Sequence, residues 1–245
     1  MTQPLFQAVR VCVIAGMFLS AGPEAFGTAG IAEWAVATPL GNEVNHTDPF
    51  IEEGDGTSIR SVDASGAGVP FVKKLLSWTF YVDYIAGQAG TGFFLFNETT
   101  KKIEYFKDEA AQKKRMQETG VLNPISRPYS NEKGWMEVWA ENRNPAVSSP
   151  DELVKLSLQT ISSQEWFQKL PDDLKERQRK MLQQKVEYDV KFLNEEHDFY
   201  RKVKREIDGY PEFKALTELQ KEKVKHYIEQ RWKASTFVVE KETGS

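Results

Sequence analysis

The stretch 76–107, "LSWTFYVDYIAGQAGTGFFLFNETTKKIEYFK", decides how the chain is read. At its centre, "AGQAGTGFF" (86–94) places Gly87 and Gly92 at the spacing of a phosphate-binding loop, G-x-x-x-x-G. Such a loop also needs a lysine for the β/γ-phosphates, a hydroxyl for Mg²⁺ and a helix immediately after it. Phe93 and Phe94 stand where the lysine and hydroxyl belong, and the following "FFLFN" is strand-like. Gly87, Gly90 and Gly92 are therefore read as the joint of a hairpin between two aromatic strands. No nucleotide is expected.

Outward from the joint, "LSWTFYVDYIA" alternates with the period of a strand. Trp78, Phe80, Val82 and Tyr84 share one face, and Thr79, Tyr81, Asp83 and Ile85 the other. "NETTKK" carries turn chemistry and "KIEYFK" reads as another strand. The simplest arrangement is three short strands in an antiparallel meander. "KDEAAQKKRMQETG" then reads as a helix capped by Asp108 and closed by Gly120. The fold class is thus α+β: a small antiparallel β-meander with a packed helix, residues 70–147, followed by a C-terminal helical hairpin or bundle, residues 148–245.

Within 121–147, Pro124, Pro128 and Pro145 mark loop, interrupted by "EKGWMEVWAEN", read as a short strand or turn packed on the meander. "SSPDELVKLSLQ" has the signature of a helix start, with Ser149 as cap, Pro150 first and Glu152 completing a capping box. Pro171, Asp172 and Asp173 open a long helix. Its apolar stripe is Leu182, Val186, Val190, Leu193, His197, Tyr200, Val203 and Ile207, in steps of three or four, ending at Gly209. "PEFKALTELQKEKVKHYIEQRW" reads as one more helix with Pro211 in its first turn. Residues 33–69, rich in Gly, Ser, Asp and Asn from position 41 onward, read as an irregular linker.

The first 32 residues follow the order of a secretory signal: one cation at Arg10, an apolar run Val11–Gly22, then small residues at plausible exit points. A buried N-terminal helix and a retained membrane anchor are the other readings of the same segment. The single cysteine, Cys12, excludes an internal disulfide and any multi-cysteine metal site. The net charge of −4 gives no reason to expect nucleic acid. Residues 151–245 carry 19 Lys/Arg and 19 Asp/Glu, so the acidic excess, 17 against 13, lies in the first 150 residues.

The chemistry-bearing residues form no catalytic pattern. His46 falls in the linker. His197 and His226 lie on helices, with Glu222 one turn before His226. The di-metal pattern Glu-x-x-His fails at both, where Asn194 and Lys223 stand three residues earlier. No serine has a G-x-S-x-G surround. No metal or other cofactor is expected. "NHT" at Asn45 and "NET" at Asn97 are glycosylation sequons in segments read as loops.

Phe93, Phe94, Phe96, Trp135 and Trp139 are too many aromatics for a three-stranded sheet to hide on one side. Both faces of the meander are therefore expected to be covered, one by the helix and one by the C-terminal helices or by a partner chain. These five residues, with the cations Arg201, Lys202, Lys204 and Arg205 of "RKVKRE", make up the candidate interaction surface. A solvated helix face is the plainer reading of the cations. The expectation is an exported protein, periplasmic, secreted or envelope-associated. Its work is that of a non-enzymatic structural, assembly or accessory subunit, with protein partners and a possible membrane contact through its N-terminus. An exported hydrolase whose carboxylates converge in space, and an intracellular or virion scaffold, are the alternatives.

Overall fold

The computed structural model describes residues 34–46, 56–61, 70–131 and 150–235, which form two antiparallel sheets and six helices. The first sheet has the order β1-β2-β3-β4, from Trp34–Ala37, Glu43–His46, Thr57–Arg60 and Pro70–Val72. Three of these strands fall inside the segment read as a linker. Their polar residues explain the misreading. Asn45, His46, Thr57 and Ser58 are all buried, and they satisfy one another: the Ser58 hydroxyl donates to Asn45 at 2.8 Å, and His46 Nδ1 lies 2.9 Å from Thr57 Oγ1. A sheet built this way shows no apolar alternation.

The second sheet has the order β8-β7-β6-β5-β9. Its strands are β5 (Leu75–Phe80), β6 (Tyr84–Ala89), β7 (Gly92–Asn97), β8 (Ile103–Phe106) and β9 (Tyr129–Ser130). The meander therefore has four consecutive strands, since "LSWTFYVDYIA" folds back at Tyr81–Asp83, where the Tyr81 amide donates to the Tyr84 carbonyl at 2.8 Å. Tyr84 consequently leaves the face assigned to it beside Trp78 and Phe80.

The glycine-rich segment is mostly strand. Ala86–Ala89 belong to β6, the turn is Gly90–Thr91, and Gly92 opens β7 with φ +123. Gly87 serves close packing. A register shift in β5 brings the Ser77 carbonyl oxygen to 2.0 Å from where a Cβ on Gly87 would stand.

Helix α1 (Glu109–Thr119) lies on one face of this sheet. Asp108 accepts from the Ala111 amide at 2.8 Å, and Gly120 closes the helix in the left-handed region at φ 75, as its sequence predicts. Its Met116 packs with Ala86, Leu95 and Val121, and its buried Gln112 amide donates to the Gly87 and Phe94 carbonyls. The opposite face of the sheet, with Trp78, Phe80, Ile85, Phe94 and Phe96, joins the main core. That core also takes Trp34, Val36, Val44 and Ile59 from the first sheet, and residues of the C-terminal helices. Both faces are thus covered from within the chain.

The helical region comprises α2 (Pro150–Ser162), α3 (Glu165–Gln168), α4 (Asp172–Glu206), α5 (Pro211–Lys214) and α6 (Glu218–Ala234). Ser149, the expected cap of α2, lies outside the described residues. Of the stripe on α4, Val186, Leu193, Tyr200, Val203 and Ile207 are buried, and Leu182, Val190 and His197 are half-buried. The buried face also includes Asp189 and Glu196. Asp172 and Asp173 begin the helix and Lys204 and Arg205 end it, matching its dipole. The last expected helix is two, because Thr217 and Gln220 form a reciprocal capping box that starts α6 afresh.

Gly87→Ala is expected to destabilise the fold by about 3 kcal/mol, because the added methyl meets backbone rather than a yielding side chain. Gly209→Ala is its control, with nothing within 4 Å of the new Cβ, and should stay within about 0.5 kcal/mol of wild type in urea unfolding.

Candidate functional site

Three places gather chemistry: two buried polar clusters and one exposed helical surface. The first cluster ties the sheet to the helices. Glu196 and Tyr200 are four residues apart on α4, as are Tyr227 and Arg231 on α6, so each pair projects from one helix face. The edge strand β9 turns Tyr129 inward between them. The Tyr129 hydroxyl donates to Glu196 Oε2 at 2.7 Å, and the hydroxyls of Tyr129, Tyr200 and Tyr227 follow at 3.3 and 3.4 Å. Arg127 reaches Glu195 at 2.7 Å and Glu196 at 3.5 Å.

Burial pushes the Glu196 carboxyl above its ordinary range. The Tyr129 hydrogen bond and the charges of Arg127 and Arg231 pull it down only in part. Asp189, two turns earlier, is raised by burial too, against its bond from Lys185 at 2.7 Å. A phenol–carboxyl chain of this kind can pass a proton, but Glu196, Tyr129, Tyr200 and Tyr227 are all buried. The arrangement binds layers together and exposes no reacting atom.

The second cluster joins the two sheets. Glu98 leaves the β7–β8 turn and enters the β1–β2 turn. There Thr38 donates its hydroxyl and Asn42 its amide, at 2.7 Å, to Glu98 Oε2. Lys101 donates to Asn42 Oδ1 at 2.6 Å and lies 5.4 Å over the Phe71 ring. Burial raises the Glu98 carboxyl more than Thr38, Asn42 and Lys101 lower it, and burial likewise lowers the Lys101 ammonium. From sequence this segment showed only a turn, because its partners lie about 60 residues away.

The residues of the expected interaction surface separate. Phe94 and Phe96 are 0% exposed and belong to the core, so they offer nothing to a partner. Phe93 is half-buried opposite Gln88 and Phe106. Trp135 and Trp139 lie outside the described residues. The cations are divided: Arg201 pairs with Asp198 at 2.8 Å, Arg205 with Glu206 at 3.4 Å, and Lys202 is exposed. Lys204 bridges α4 to α6 through Glu229 at 2.6 Å and sits 4.1 Å over the Trp232 ring. The histidines do not converge. His46 stacks on Trp34 at 5.6 Å, His197 tilts against Trp232 at 5.8 Å, and His226 is exposed. Among the described residues no group of His, Cys, Asp and Glu could hold a metal ion. The sequon asparagines Asn45 and Asn97 are buried in or at the end of strands, not in loops.

The third place is an arm. At 35 residues α4 is about 52 Å long, yet its first buried residue is Val186. Before that point it packs on α2, whose Val154, Leu158 and Ile161 are only half-buried, and on α3 through Arg179 over the buried Phe167 ring. On α2 and α4, Leu156, Leu174, Met181 and Tyr188 are each more than a third exposed. Comparison of the chain with protein-family models, with curated proteins and with solved structures returns no match.

Glu98→Ala would leave the Thr38 and Asn42 donors unpaired, for an expected loss of about 2–3 kcal/mol. Glu98→Gln keeps an acceptor and should retain most of the stability. The Glu98, Asp189 and Glu196 carboxyls all bind protons more tightly folded than unfolded. Their contribution is therefore fully present below the ordinary carboxylate pKa and is lost as pH rises through the raised values. Thermal unfolding should show a higher midpoint near about pH 5.5 than about pH 7.5, with a smaller difference in Glu98→Gln. Phe94→Ala should cost about 3–5 kcal/mol and Phe93→Ala less than half of that in the same assay.

Proposed function

We propose that this chain is a non-enzymatic structural, assembly or accessory subunit, exported and working in an envelope-associated protein complex. One observation carries the reading. The eight large hydrophobic side chains left exposed among the described residues are not scattered evenly, and four of them, Leu156, Leu174, Met181 and Tyr188, lie on the arm. An apolar surface carried beyond the core, on a pair of thinly packed helices, suits docking of another protein. The buried carboxylates are meanwhile occupied in holding the body together.

Export is supported by the order of Arg10, the apolar run Val11–Gly22 and the small residues that follow, all outside the described residues. No described helix is long and apolar enough to cross a membrane, and the membrane contact proposed here rests on the N-terminal segment alone. The hydrolase alternative draws on the raised carboxyls of Asp189 and Glu196. Those two stand two turns apart on one helix and are bonded to Lys185 and Tyr129 respectively, rather than aimed at a shared point.

Native affinity purification of the tagged chain should recover a stoichiometric protein partner. The double variant Met181→Asp, Tyr188→Asp should lose it while melting as the wild type does. Recovery of a lone chain from both would sink the subunit reading. Intact mass of the mature protein reports on export. Cleavage between residues 22 and 32 supports it, and a retained Met1 in a soluble form points to the intracellular scaffold instead.

A further inference from the structure

A line of oxidisable rings runs from the first sheet into the core. Trp34 of β1 stacks on Trp78 of β5 with ring centres 6.2 Å apart, and Trp78 lies 6.1 Å from Tyr129 of β9. Indole and phenol rings can each give up one electron. Gaps of this size let an electron pass from ring to ring while the rings stay in place.

The three rings differ in where their protons can go. Among the described residues, neither the Trp34 nor the Trp78 ring nitrogen has a hydrogen-bond acceptor, and both are buried. A buried donor left unpaired costs stability and calls for a reason. An indole that has lost an electron is a strong acid. With no acceptor in reach it keeps its proton, stays charged and refills itself from the next ring. Tyr129 is the opposite case. Its hydroxyl donates to Glu196 Oε2 at 2.7 Å, so electron and proton can leave it together. Burial raises the proton affinity of Glu196 against the pull of Tyr129, Arg127 and Arg231, which makes this carboxylate a stronger base than an exposed one. The oxidising equivalent therefore moves toward Tyr129. That ring is 2% exposed, which keeps a radical there away from water.

We propose that Trp34 and Trp78 relay an oxidising equivalent from a one-electron oxidant at the first sheet to Tyr129, which holds it as a neutral radical. The oxidant takes one electron from Trp34 and is itself reduced by one electron. Trp78 refills Trp34, and Tyr129 refills Trp78. The hydroxyl proton of Tyr129 passes to Glu196 Oε2, so a phenol and a carboxylate become a phenoxyl radical and a carboxylic acid. No substrate has to enter the buried cluster, because only an electron crosses to the oxidant. The groups facing Glu196 are Tyr129 of β9, Arg127 just before it, Arg231 of α6 and Glu195 on its own helix. This role is separate from docking on the arm.

The test uses the full chain in a Cys12→Ser background. A ruthenium polypyridyl complex is attached to Ala35→Cys, an exposed position beside Trp34 on β1, and flash-quench photolysis turns it into a one-electron oxidant. A tyrosyl absorbance should then grow in, at a rate independent of protein concentration and slower in heavy water. Tyr129→Phe should lose the signal and Trp78→Phe should lose its fast phase. Tyr105→Phe, an exposed ring, should keep both. Glu196→Gln should slow the growth about 100-fold. Acidifying the wild type from about pH 8.5 to about pH 5 should reduce the signal, because Glu196 then already carries a proton. A signal that survives Tyr129→Phe overturns the proposal. So does a rate that is the same in light and heavy water, a reading made on the intact cluster that holds even where a variant fails to fold. Loss or recovery of a partner on the arm leaves all of these readings unmoved.

Discussion

Strands β6 and β7 carry buried apolar residues on both faces and no fully exposed residue, and the rest of the architecture answers that constraint. Along β7, Phe94 and Phe96 enter the main core while Leu95, between them, packs toward α1. A hairpin that is apolar on both sides cannot be stable alone and needs a layer on each face. Helix α1 follows the meander directly and supplies one. The other is assembled from distant parts of the chain, with the first sheet arriving from before β5 and α4 and α6 from far after β8. Gly87 sits in the middle strand because the neighbouring β5 backbone approaches too closely for any side chain.

Aromatic contacts carry the joining of these layers. Trp34 of the first sheet stacks on Trp78 at 6.2 Å, Trp78 meets Tyr129 at 6.1 Å, and Phe80 meets Tyr227 edge-on at 5.8 Å. Such contacts bury large apolar area and favour offset or edge-on geometries. The buried polar clusters add directional hydrogen bonds. Glu98 and Glu196 are costly to bury, as their raised affinity for protons records, and each fixes one interface by hydrogen bonds that need a particular geometry. One carboxylate sets sheet against sheet and the other sets sheet against helices.

Features specified by near neighbours were legible in the sequence. Asp108 and Gly120 bracket α1, and the spacing of Val186, Leu193, Tyr200 and Val203 marks the buried side of α4, because both signals repeat within a few residues. The sharp turn at Tyr81–Asp83 was hidden by aromatic and branched residues that suit a strand equally well. The Thr217–Gln220 box was present but lay inside an apparently continuous helical period. The strands between residues 34 and 60 were concealed because their cores are partly polar. The two carboxylate clusters could not be read at all, since Glu98 and Glu196 find their partners 56 to 67 residues away. Phe94 and Phe96 looked like surplus aromatics only while the second covering layer was unknown.

The two sequon asparagines give the fold a chronology. Asn97 accepts from the Thr100 amide at 2.7 Å and donates to Asp83 at 3.2 Å, and Asn45 is held by Ser58 inside the first sheet. An oligosaccharide on either side-chain nitrogen has no room once the strands have closed. In a host that glycosylates chains as they emerge, sugar transfer and strand pairing would compete for the same two atoms. Whichever came first would exclude the other, since the closed strands leave Asn45 and Asn97 buried.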